Sequence, residues 1–96
     1  MNEDQAKIVG LQALGYLVAE EDVLQRFMDM SGVDPSDLRA RAEDPAMLAG
    51  VLDFFLGFEP QLLEMCEATG LAAEAPAQAR QHLFGGPNGD QFEEWS

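Results

Sequence analysis

The sequence predicts an all-α protein, a compact bundle of about six short helices. Three observations carry that expectation. Apolar residues recur at three- and four-residue spacing, with no sustained alternation of the kind a strand requires. Asp34-Pro35, Asp44-Pro45 and Glu59-Pro60 each place an acid beside a proline, the pairing that opens a helix. Ser31-Gly32 and Thr69-Gly70 close apolar-periodic stretches as left-handed glycine stops.

The elements follow in order. The first helix is expected over about residues 3–19, with Asn2 and Gln5 at capping-box spacing. Ile8, Leu11, Leu14 and Val18 recur at helical spacing and are read as its inward face. Glu20-Glu21-Asp22 opens the second helix, with Val23, Leu24, Phe27 and Met28 inward, and Gly32 ends it. Asp34-Pro35 starts a short third helix. Val33 and Leu38 stand on either side of the cap at hydrophobic-staple spacing. The fourth helix runs from about Pro45 to Phe58 and is apolar nearly all round, the mark of a central buried helix. Glu59-Pro60 starts the fifth, which carries Leu62, Leu63, Met65 and Cys66 and ends at Gly70. Pro76 starts the sixth, which stops near Phe84. Leu14, Leu17, Leu24, Phe27, Leu48, Leu52, Phe55 and Leu62 are the expected common core. Residues 1–84 are thus read as one helical domain, and 85–96 as a flexible acidic-aromatic tail.

Composition bounds the function. Of 96 residues, 47% are apolar, enough to fill one core, yet no uninterrupted apolar stretch is long enough to span a bilayer. The acidic start Met1-Asn2-Glu3-Asp4 is unlike a secretory signal, and the single Cys66 leaves no intramolecular disulfide, so the expected location is cytoplasmic. Eighteen acids against five bases give a net charge of −13. Such a surface disfavours nucleic acid and anionic membranes and leaves room for a basic partner. Helix chemistry explains many of the same acids. Glu3, Asp4, Glu20, Glu21, Asp22, Asp34, Asp37, Asp44, Glu59 and Glu74 all lie near expected helix starts, where acids complement the dipole.

The two halves also resemble each other. At a constant offset of 38 residues, Leu14, Glu21, Leu24 and Gly32 fall on Leu52, Glu59, Leu62 and Gly70. The pattern is that of a three-helix unit used twice, although helical periodicity alone supplies several of the matches. The run Phe27 to Arg41, in particular Gly32-Val33-Asp34-Pro35 with Leu38-Arg39, and the Val51-Leu52-Asp53-Phe54 core resemble one family. It is the small bacterial domain of unknown function numbered 3572. The resemblance covers about residues 5–84. It implies a small all-helical protein with no assigned activity and no catalytic residues to carry over.

Few residues offer chemistry. Cys66 and His82 are the only soft ligands, 16 positions apart, and no cofactor or metal site is expected from them. Cys66 falls at an apolar helical position and His82 in a last helical turn, where both have structural explanations. Asp53 interrupts the most apolar helix. With Ala46, Gly50 and Gly57 it forms a small or polar stripe that faces water, admits another helix, or holds a functional carboxylate. Arg39, Arg41 and Arg80 are expected to pair with nearby acids such as Asp37 and Glu43, or to form a small anion-binding spot. In the tail, Phe92, Glu93, Glu94 and Trp95 have the make-up of an interaction motif, two aromatic anchors among acids. These aromatics are expected to dock in an apolar groove of this domain, of a second copy or of a partner. The reading that follows is a non-catalytic protein–protein interaction module, with self-association or a basic-surfaced protein as partner. The alternatives are a small enzyme or regulator with a pocket near Asp53, Cys66 or His82, and an acidic mimic of nucleic acid.

Overall fold

A computed structural model describes residues 1–83. The helices are α1 (Glu3–Ala19), α2 (Glu21–Ser31), α3 (Pro35–Ala40), α4 (Pro45–Leu56), α5 (Glu59–Thr69) and α6 (Ala75–Gln81), and no strand occurs among the described residues. Residues 84–96 lie outside the description, and the expected tail with them.

Local chemistry sets most of the boundaries. Asn2 accepts from the Gln5 backbone N–H at 2.8 Å, and the Gln5 side chain accepts from the Asn2 N–H at 3.0 Å, closing the expected capping box. Asp34 caps α3 through the Asp37 N–H, and Asp44 caps α4 through the Ala46 N–H. Both glycine stops are left-handed, with φ of 77° at Gly32 and 81° at Gly70. The hydroxyls before them act alike: Ser31 Oγ donates to the Phe27 carbonyl at 2.7 Å, and Thr69 Oγ1 to the Met65 carbonyl at 2.8 Å. All ten acids expected near helix starts stand at an N-cap or in a first turn. Two ends differ from expectation. Helix α4 stops at Leu56, because Phe58 turns extended and becomes the N-cap of α5, and α6 stops at Gln81.

Helix α4 is the centre. Met47, Leu48, Ala49, Val51, Leu52 and Phe55 are all buried in it. Helices α1, α5 and α6 pack against it, α6 also lies along α1, and α2 packs on α1. Helix α3 shares no broad packed face with another helix and is held mainly by Leu38, which is 2% exposed. Six of the eight expected core residues are buried, while Leu24 and Leu62 are half-buried at the edge. An aromatic chain runs through the centre, with Phe27 edge-on to Phe54, Phe54 to Phe55, and Phe55 tilted against Tyr16.

The inward face of α1 is not the expected one. Ile8, Leu11 and Val18 are exposed, whereas Ala6, Val9, Gly10, Ala13, Leu14 and Leu17 are buried. Size decided the direction. A Cβ placed on Gly10 would come within 2.9 Å of Leu48 Cβ, so α1 and α4 approach at a distance that only small side chains permit. The larger apolar residues are left on the other side. Leu63, too, faces outward from α5, 47% exposed.

Candidate functional site

The exposed side of α1 forms one wall of a groove of about 410 Å³. Leu11, Leu14, Gly15 and Val18 line it from α1, and Leu24 closes it from α2. Pro35, Leu38 and Arg39 of α3, followed by Ala42, make the opposite wall. The groove exists because α3 hangs from Leu38 and does not close down on α1 along its length. Its volume is within the roughly 300–1,000 Å³ of pockets that take drug-sized molecules, yet its walls hold one charged group and no converging polar set.

That one charge is Arg39, which makes no ion pair among the described residues. The other three arginines are engaged. Arg26 lies over the Phe58 ring at 5.0 Å, Arg41 pairs with Asp44 at 3.2 Å, and Arg80 pairs with Asp53 at 2.8 Å. The expected pairing with nearby acids such as Asp37 and Glu43 thus holds in kind for Arg41, whose partner is Asp44, and is corrected for Arg39 and Arg80. Asp44 is three residues beyond Arg41, across the turn from α3 to α4. Arg80 reaches across from α6 to α4, a contact between elements that no local spacing announces.

Asp53 is thus a tether between helices. Its side chain keeps 36% exposure, while that of Arg80 keeps 13%. Arg80 Nη1 also donates to the Leu83 carbonyl at 3.2 Å, so the guanidinium fixes the end of α6 onto α4. Gly50, in the same stripe, has open space where a Cβ would stand, so close packing does not explain the whole stripe.

Cys66 is buried at 4% exposure and its thiol donates weakly to the Ala72 carbonyl at 3.7 Å. Burial, aided by the nearby Glu74 charge, pushes its pKa up, which keeps the thiol neutral. His82 is the C-cap of α6, and no hydrogen bond among the described residues joins it to Cys66. No three His, Cys, Asp or Glu side chains converge as a metal set among the described residues. Tyr16 reaches from α1 to α5, its hydroxyl accepting from Gln61 Nε2 at 3.2 Å. Burial and the Glu20 and Glu64 charges raise its pKa against the opposing pull of that bond. Phe92, Glu93, Glu94 and Trp95 lie outside the described residues.

The groove escaped the sequence reading because Leu11 and Val18 were read as core. One signal was available. Residues 8–19 contain no charged residue, and they carry more apolar side chains than one helix face can bury.

Together these features define an all-helical protein organised around one buried helix, with an apolar groove on one flank. The chain belongs to the family described as protein of unknown function (DUF3572), whose profile matches residues 3–86. Nothing among curated proteins or solved structures matches it.

Proposed function

We propose that the protein is a non-catalytic interaction module that presents an acidic surface, and its Phe92-Glu93-Glu94-Trp95 segment, to a basic partner protein. One observation carries this reading. Of the fifteen acids among the described residues, only Asp44 and Asp53 stand in ion pairs, and none of the fifteen is buried. The remaining carboxylates are free to set a long-range negative field, which steers a basic surface toward the chain and speeds its docking. Among the described residues the acids lie at the surface, while the core is apolar and the groove carries Arg39 as its one charge, a distribution suited to recognition.

Capture from the native cell is the test, with the full chain and a chain ending at Leu83 as baits. The expected result is a basic protein that elutes with rising salt and is held less well by the shorter bait. Retention of no basic protein by either bait, or retention indifferent to salt, defeats the reading.

A further inference from the structure

We infer that the groove between α1 and α3 is a docking site for the chain's own C-terminal segment, with Phe92 and Trp95 as its anchors. The inference does not depend on the interaction reading: it concerns the chain alone in solution, and a basic partner that binds the same segment would displace it from the groove.

Three observations select this occupant. The groove is apolar but carries one cation, Arg39, and that cation is the only arginine among the described residues with neither an ion-pair nor an aromatic partner. The matching ligand is an apolar or aromatic peptide that brings an acid, and Phe92-Glu93-Glu94-Trp95 is such a peptide. Next, the wall facing Arg39 is unusually neutral. In a chain of net charge −13, residues 8–19 have no charge, so an acidic segment approaches α1 there without meeting a like charge on that stretch.

Reach is the third. Nine peptide steps separate Leu83 from Phe92, a span of roughly 30 Å when extended. The body's extents are 40, 28 and 22 Å, so that span is of the order of its shorter dimensions. Tethering also makes a weak contact effective. Segment and groove share one chain, so their contact is intramolecular and independent of protein concentration. A second copy of the chain is the poorer occupant, since its body adds another net charge of −13 beside the first.

Trp95 is the only tryptophan, so its emission reports this site without interference. The probe is the full chain, with Val18→Asp and Leu11→Asp as groove variants and Arg39→Glu as the charge variant. All three positions are exposed, and far-UV dichroism checks that helix content is kept. The expected result is a blue-shifted emission in the unaltered chain that moves to the hydrated-indole position in Val18→Asp and Leu11→Asp. Arg39→Glu moves it part of the way, and emission holds constant over about a hundredfold dilution, as an intramolecular contact requires. Hydrated emission in the unaltered chain overturns the proposal. So does a blue shift that both groove variants leave in place, or one that dilution abolishes, which assigns the groove to the segment of a second copy. No partner is present in this measurement, so the interaction reading and this one fail separately.

Discussion

Gly10 and Gly50 both sit inside long helices, yet a methyl group added at each meets opposite surroundings. At Gly50 the space is open, and alanine gains helix propensity without a clash. Gly50→Ala is expected to stabilise the protein by about 0.5–1 kcal/mol. At Gly10 the new methyl meets Leu48 Cβ at 2.9 Å, an atom that no side-chain rotation can move away. Overpacking costs about 1–3 kcal/mol against a propensity gain of about 1 kcal/mol, so Gly10→Ala is expected to lower stability. Urea midpoints of opposite displacement check the pair, and equal displacement would show that α1 and α4 are not in tight contact. Phe55, fully buried and in contact with both Tyr16 and Phe54, gives the scale of the core. Its truncation to alanine is expected to cost about 3–5 kcal/mol by denaturant titration.

The helices themselves were legible wherever their limits rest on local chemistry. Asn2 with Gln5, Asp34 with Pro35 and Asp44 with Pro45 could be read directly, because a cap bonds only to its own first turn. The two glycine stops were equally local. Gly32→Ala and Gly70→Ala each force a left-handed alanine and are expected to cost about 1–2 kcal/mol, measured by thermal unfolding. The Asp34 cap also carries a pH signature. Its carboxylate accepts from the Asp37 N–H and the Ser36 hydroxyl, which hold its pKa below the usual 3.8. A lowered pKa means stability that is complete above the usual value and lost as pH falls through the folded one. The stability gap between the unaltered chain and Asp34→Ala is therefore expected to be constant near neutrality and to narrow only in the acid range below that value. What was not legible was the facing of α1. Its burial depends on how closely α4 and α6 approach, and neither Ile8 nor Val18 carries a local mark of being on the far side.

At the scale of the whole molecule, charge sets the terms. A net charge of −13 with two ion pairs among the described residues leaves the folded state under self-repulsion. Added salt shortens the screening length from about 30 Å at 0.01 M to about 8 Å at 0.15 M. The Tm is accordingly expected to rise with sodium chloride over that range, and a Tm indifferent to salt would mean that the surface acids barely interact. The sequence announced this charge and the central place of α4, since both are properties of composition. The groove and the Asp53–Arg80 tether arise only when distant helices meet, which is why the candidate site was the least legible part.

The burial of Cys66 gives the molecule a built-in clock. The chain has one thiol, and it lies beneath the turn that joins α5 to α6, kept neutral and out of reach of reagents. A thiol reagent can attack it only when that region opens. The labelling rate, divided by the rate of the same reagent on an unstructured peptide thiol, is then the fraction of time the region spends open. Followed through a denaturant series, the one cysteine would tell whether the second half of the bundle loosens on its own or lets go only when every helix does.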